Sequence, residues 1–164
     1  MCKEIRIKLN KPLSEQLDRQ EIRELITSYL KEKMTEKEVF CRSSKEVFDY
    51  LYVDMRDLQI EVFKVIYLNN KNRIIACEDV FKGSLTSSSV YPRELLKRVL
   101  DLNASTLILC HNHPSGVPEP SDSDKEITEK LSVAFKLFEV NVLDHIIIGF
   151  NTYFSFADNG ILQK

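Results

Sequence analysis

A mixed α/β fold, with a central and mostly antiparallel sheet flanked by helices, is the fold class that the sequence predicts. Two observations lead to it. From about residue 41 onward, segments with helical and strand periodicity follow in the order helix, three strands, helix, strand, helix, two strands. Within that order, "STLILC" is a continuous apolar run, typical of a strand buried on both faces. We therefore divide the chain into an N-terminal arm, residues 1–40, and a main domain, residues 41–164.

The N-terminal arm begins with apolar residues that alternate with polar ones from Ile5 to Leu9, as in a short strand that Pro12 ends. Apolar residues with the spacing of one helix face follow, from Leu17 to Leu30. We expect this strand–helix arm to serve packing or assembly into a homo-oligomer and not catalysis.

The main domain opens with a predicted helix. Ser43 and Glu46 have the spacing of a capping box, and a helical stripe of apolar residues runs from Val47 to Leu58. "EVFKVIYL" and "RIIACEDV" are rich in β-branched and aromatic residues, and the turn-forming "NNKN" between them predicts a hairpin. "SLTSSSV" is the third predicted strand of this half.

The second half of the domain repeats the alternation of helix and strand. Pro92 suits the first turn of a helix, and the buried strand "STLILC" follows that helix. Another helix is predicted from about Asp122. "VNVLDHIIIGF" and "TYFSFA" then close the domain as two strands.

Composition excludes several classes of function. A net charge of -2 argues against a bulk electrostatic grip on nucleic acid or on an anionic membrane. The four cysteines form no C-x-x-C pair, which fits a reducing compartment, and we expect a cytoplasmic protein. The longest apolar runs are much shorter than the roughly 20 residues that span a bilayer, and the N-terminus does not have the pattern of a secretory signal.

Two of the three histidines follow the buried strand directly, in "LILCHNHPSGVPEPSDSD". In an extended segment residues i and i+2 point to the same side, so His111 and His113 project together. Asp124 lies eleven residues after His113, at a predicted helix start, and the proline-rich loop can bring it back. Two imidazoles and a carboxylate, with water in the fourth position, would make a catalytic zinc site.

A purely structural interpretation exists for each part of this pattern. The two histidines can be an accident at the end of a strand. Ser121 and Asp124 also have the spacing of a capping box, or Asp122 can be the cap instead. The capping and metal-binding interpretations of the helix start are compatible, because a cap also fixes the orientation of its side chains.

The segment "HNHPSGVPEPSDSD" matches the JAMM motif at every specified position, and it resembles the RadC family together with "YPRELLKRVLDLNAS" before it and "VLDHIIIG" after it. That family is a branch of the JAB/MPN metallopeptidase superfamily, and the resemblance covers roughly residues 43–160. It implies the deaminase-like MPN/JAB fold, zinc bound by His111, His113 and Asp124, and an oxyanion supported by Ser121.

The resemblance also implies a catalytic glutamate upstream, at the start of a strand after the first helix. Glu61 occupies that place, and Glu78 in the next strand is the alternative. Such a glutamate would act as general base toward water. For the remaining polar residues we predict structural roles: Asn112 holds the loop by hydrogen bonds, Cys110 lies in the core, and His145 serves the structure or contacts a ligand residue.

The function expected from the resemblance is a zinc-dependent metallopeptidase that hydrolyses a peptide or isopeptide bond in a protein or peptide substrate. Two alternatives stay open: a protein associated with DNA repair that binds or processes nucleic acid, and a non-catalytic MPN scaffold. Typical RadC proteins resemble this chain only in their C-terminal half and carry a helix-hairpin-helix module before it. That module needs glycine in its hairpin, and because no glycine precedes Gly83 we expect none here. No membrane partner is expected.

Overall fold

The computed structural model of the protein describes residues 21, 22, 24, 40–84 and 90–162. All the elements below lie in one compact unit, Glu38–Lys164. Apart from residues 21, 22, 24 and 40, the predicted N-terminal arm lies outside the described residues, and so does most of the predicted third strand, "SLTSSSV". Among the residues that are described, no helix combines the length and the apolar character needed to cross a membrane.

Five strands form one sheet in the order β2-β1-β3-β4-β5. Their bounds are β1 Val62–Leu68, β2 Ile74–Lys82, β3 Thr106–Asn112, β4 Asn141–Ile148 and β5 Tyr153–Ser155. The β3–β4 pair is parallel and the other three pairs are antiparallel. This confirms the predicted central, mostly antiparallel sheet. Every residue of β1 and β3 is buried, as the continuous apolar run in β3 predicted.

In the part of the chain that the structure describes, three helices cover the sheet: α1 Ser44–Met55, α2 Pro92–Leu102 and α3 Asp122–Lys136. Side chains of β3 alternate between two cores. Leu107 and Leu109 pack in the core that includes α2 and α3, whereas Ile108 and Cys110 pack in the core beneath α1. The predicted core position of Cys110 is confirmed. Because of this alternation, His111 faces the side of α3.

The helix starts follow the predicted capping chemistry with one change. Ser43 accepts from the backbone N–H of Glu46, but the Glu46 carboxylate accepts from Arg42 and not from Ser43, so only half of that capping box forms. Ser121, and not Asp122, caps α3, with both bonds of the box in place. The second box therefore fixes its acidic residue more firmly than the first.

Candidate metal centre

The C-terminal end of β3 divides its polar side chains between the two faces of the sheet. Asn112 accepts from the N–H of Val62 at 2.8 Å and donates to the carbonyls of Ile60, at 3.0 Å, and Leu58, at 3.4 Å. Asn112 therefore has the predicted hydrogen-bonding role, but its partners lie in the segment before β1 and not in the loop after β3. These bonds tie the entry of β1 to the end of β3, which brings the residues just before β1 close to His111.

His111, His113 and Asp124 converge into one cluster, in which one potential ligand atom from each lies within 4.8 Å of the others. Nε2 of His111 is 3.1 Å from Oδ1 of Asp124, and Nε2 of His113 is 3.5 Å from Oδ2 of Asp124. The two Nε2 atoms are 3.0 Å apart. His111 and Asp124 are each 1% exposed, so the residues that the sequence placed on a strand end and a helix start meet in a buried site.

The loop after β3 holds His113 by its second ring nitrogen. Nδ1 of His113 lies 2.8 Å from the carbonyl of Val117, and a carbonyl can only accept, so Nδ1 carries the proton. Gly116, at φ +79°, makes the bend, and its carbonyl accepts from Phe150 at 2.8 Å. A Cβ at Gly149 would come within 2.4 Å of that carbonyl, so only glycine lets the loop pack against the end of β4.

The start of α3 orients the carboxylate. Oδ2 of Asp124 accepts from the backbone N–H of Ser121 at 2.7 Å and from the Ser121 hydroxyl at 2.6 Å, and Asp124 N donates back to that hydroxyl at 3.1 Å. Asp124 therefore caps the helix with Oδ2 while Oδ1 faces His111. The capping interpretation of "SDSD" is confirmed, and it leaves Oδ1 of Asp124 facing the histidines, where it could also bind a metal ion.

The electrostatics of the cluster favour a cation. Burial raises the pKa of Asp124, but the attraction of the two histidines when they are protonated, together with the bonds from Ser121, outweighs it and holds that pKa well below its usual range. The bond to Asp124 raises the pKa of His113, whereas burial lowers that of His111. With its Nδ1–H given to Val117, neutral His113 turns a lone pair on Nε2 toward the cluster. Two imidazole nitrogens and a carboxylate oxygen form a ligand set that suits Zn²⁺ and leaves a fourth position.

Of the two candidate glutamates, the structure brings Glu61 toward this cluster. β1 and β3 pair Phe63 with His111, and continuing that register sets Glu61 opposite His113 on the same face. Its charge adds a small upward contribution to the pKa of each histidine, which in His111 is outweighed by burial. Glu78 instead pairs with Arg98 of α2, whose Nη2 and Nε atoms lie 2.6 and 3.0 Å from its Oε1.

His145 contacts the cluster from β4. Its Nε2 lies 2.8 Å from Nδ1 of His111, and its Nδ1 lies 2.6 Å from the hydroxyl of Thr128 in α3. Complete burial, and then the neighbouring His111, lower the pKa of His145 well below its usual range. The sequence left two roles open for His145 and did not single out Thr128. The available signal was the four-residue spacing from Asp124 to Thr128, which places both on one face of α3.

Comparison with known proteins shows which family this chain is similar to. The model of the RadC-like JAB domain matches residues 40–161. A UPF0758 protein of Pseudoalteromonas translucida is 48% identical over 87% of this chain and 63% of its own length. The UPF0758 protein of Leptothrix cholodnii is 46% identical over 87% of this chain and 64% of its own length. The UPF0758 protein of Thiobacillus denitrificans is 50% identical over 73% of this chain and 54% of its own length.

This chain therefore spans between 54% and 64% of the length of these relatives. The family model covers the whole described domain, from the strand bridge at Phe40 through β5, and with it the His–His–Asp cluster. The expectation that the sequence raised from "HNHPSGVPEPSDSD" and its flanking blocks is confirmed: the chain belongs to the RadC-like JAB domain family.

Proposed function

We propose that this protein is a zinc-dependent hydrolase of peptide or isopeptide bonds. The observation that carries the proposal is the convergence of Nε2 of His111, Nε2 of His113 and the carboxylate of Asp124 in one buried cluster. Three protein ligands with an open fourth position are typical of catalytic zinc sites, whereas structural zinc sites are closed by four. Membership in the RadC-like JAB family supports the same class of chemistry.

A bound zinc ion would polarise the scissile carbonyl and lower the pKa of the attacking water to about 7. Glu61, on the face of the sheet that carries the histidines, takes the proton from that water and passes it to the leaving amine. Ser121 turns its hydroxyl from Asp124 toward the oxyanion. The side chain of His113 is 14% exposed, against 1% for that of His111, so substrate approaches from the side of His113.

The test compares Glu61→Gln with Glu78→Gln, which removes a carboxylate from the neighbouring strand. The assay is chelator-sensitive cleavage of a mixture of linear and isopeptide-linked peptides, followed by mass spectrometry, with zinc content measured in parallel. We expect wild type to hold about one zinc per chain, since the ligands describe one site. Glu61→Gln should keep its zinc and lose cleavage by about 10²- to 10⁴-fold, while Glu78→Gln retains the rate.

Two results would count against the proposal. If Glu61→Gln cleaves as fast as wild type, Glu61 is not the general base. If wild type binds zinc but cleaves no peptide bond in either class of substrate, a non-catalytic scaffold replaces the hydrolase.

A further inference from the structure

A line of hydrogen bonds runs behind the metal cluster, from the backbone of α3 to His111. The Thr128 hydroxyl bonds to the carbonyl of Asp124, one turn earlier in the helix. The same hydroxyl oxygen lies 2.6 Å from Nδ1 of His145, and Nε2 of His145 lies 2.8 Å from Nδ1 of His111. All members are buried, with Thr128 4% exposed and His145 fully enclosed, so water cannot substitute for any of the bonds.

The donor and acceptor of each hydrogen bond in this line follow from the group at its end, the backbone carbonyl of Asp124. The Asp124 carbonyl can only accept, so the single hydroxyl proton of Thr128 is donated to it. The Thr128 oxygen must then accept from Nδ1–H of His145. A neutral imidazole has one N–H, so Nε2 of His145 carries a lone pair and accepts from Nδ1–H of His111. What remains on His111 is a lone pair at Nε2, which points at Asp124 and His113.

We propose that Thr128 and His145 are positioning residues that lock His111 in the Nδ1–H tautomer and so keep its Nε2 free to bind the metal. The inference rests on the proposed function, because it assigns these residues to the same metal centre. His113 reaches the same state by a different route, through the Val117 carbonyl. A residue behind a ligating histidine fixes both its tautomer and its ring orientation.

Thr128 also couples two ligands mechanically. Its bond to the carbonyl of Asp124 joins the helix turn that carries the carboxylate to the strand that carries His145. A purely structural alternative exists, since threonine hydroxyls often bond to the carbonyl four residues earlier. His145 also stacks on Phe156, with ring centroids 4.9 Å apart, as a core residue would. The experiment must therefore measure the tautomer itself.

The variant that breaks the line is Thr128→Val, which keeps the shape and removes the hydroxyl, and its matched control is Thr128→Ser, which keeps the hydroxyl. Without an acceptor, Nδ1–H of His145 is left unsatisfied, so His145 moves its proton to Nε2 and forces His111 into the Nε2–H tautomer. We expect zinc to bind Thr128→Val about 10- to 100-fold more weakly than wild type. Thr128→Ser should bind zinc like wild type.

The second readout is long-range ¹H–¹⁵N NMR of the metal-free protein at pH 8, which distinguishes the two tautomers of each histidine. His111 and His145 should be Nδ1–H in wild type and in Thr128→Ser, and Nε2–H in Thr128→Val. If Thr128→Val does not fold by circular dichroism, Thr128→Ala removes the same hydroxyl from the helix.

The outcomes separate the two proposals. If wild type binds zinc and the variant without the hydroxyl shows unchanged tautomers, or binds zinc as tightly as Thr128→Ser, the positioning role is overturned while the metal site stands. If wild type takes up no zinc, the proposed function fails, and the NMR comparison still decides whether Thr128 sets the tautomer of His111.

Discussion

Two polar clusters, each built on a buried charged or polar side chain, lie on opposite faces of the same sheet, and they differ in how their charges and protons balance. Beneath α1, the Lys64 ammonium bonds to the carboxylates of Asp54, at 2.8 Å, and Asp79. This ionic cluster pairs donors with acceptors. On the other face, the metal cluster of His111, His113 and Asp124 turns lone pairs and a carboxylate toward one point. Lys64 and the histidine–aspartate cluster are both buried, so the excess of unprotonated acceptors is what makes the second cluster suitable for a cation.

The pKa shifts of the two clusters express the same difference. Burial opposes the charge on Lys64, yet its bonds to Asp54 and Asp79 raise its pKa. Burial likewise opposes the charge on Asp79, but Lys64 holds its pKa below the usual value. Both groups therefore stay charged around neutral pH and need no further ion. In the metal cluster, only Asp124 keeps its charge at all such pH values.

Of the substitutions that distinguish the two clusters, the one with the largest expected effect lowers the affinity for metal. His113→Ala removes one of the three proposed ligands. If about 10–16 kcal/mol of zinc binding is shared among four ligands, one ligand carries about 2.5–4 kcal/mol, which is a loss of affinity of about 70- to 900-fold. Lys64→Met, in the ionic cluster, should leave zinc affinity unchanged. Competitive titration with a chromophoric chelator measures both, and full zinc occupancy in purified His113→Ala would show that the ligands are assigned wrongly.

Substitutions in the ionic cluster should instead lower the free energy of unfolding. The size of the loss should depend on whether the negative or the positive charges are removed. Replacing Asp54 and Asp79 together by Ala leaves the Lys64 ammonium, 8% exposed as a residue, without its partners, which costs about 3 kcal/mol of unfolding free energy. Lys64→Met instead leaves two carboxylates with side chains 36% and 35% exposed, which water can solvate, so we expect a loss of about 1 kcal/mol or less.

Urea unfolding of the zinc-loaded proteins compares these variants. Equal losses in the double aspartate variant and in Lys64→Met would mean that the ionic cluster is as open to water as a surface pair. Loss of zinc from either variant would show that the two faces of the sheet are coupled.

How far the sequence predicts these two clusters depends on whether their partners are close in the chain. Strand alternation places His111 and His113 on one side, and the capping box fixes Ser121 and Asp124, because both rules act over a few residues. The order of elements and the buried central strand follow from periodicity in the same way. Local patterns alone therefore predict the members of the metal cluster as a set of candidate ligands.

What the sequence could not supply are contacts that depend on strand register. His145 meets His111 because parallel pairing sets Leu109 beside His145, and no local pattern encodes that pairing. The same holds for Glu61, whose preference over Glu78 rests on the register of β1 against β3 and on the pairing of Glu78 with Arg98. The partners of Lys64 come from α1 and β2, so these contacts also depend on packing and pairing that no local pattern encodes.

A further, modest effect is a pH dependence of stability that only the metal cluster should show. All three histidines of the chain belong to or contact it, so histidine titration reports on that face alone. Burial lowers the pKa of His111 and His145. At acid pH these two side chains are therefore protonated in the unfolded chain but neutral in the folded chain. The raised pKa of His113 acts oppositely, since its contribution to stability is present below about 6.5 and lost as pH rises.

Below pH 6.5 up to three histidines thus become protonated in the unfolded chain, whereas in the folded chain only His113 is protonated. For metal-free protein in chelator, we expect the unfolding free energy to fall by about 1–2 kcal/mol between pH 6.5 and 5.5, from a net uptake of one to two protons. His145→Gln removes one of the two histidines that are protonated only in the unfolded chain, so it should roughly halve the fall in unfolding free energy. Lys64→Met should not change that fall. Urea titrations at the two pH values measure the difference, and an equal fall in His145→Gln and wild type would show that His145 takes up its proton in the folded state.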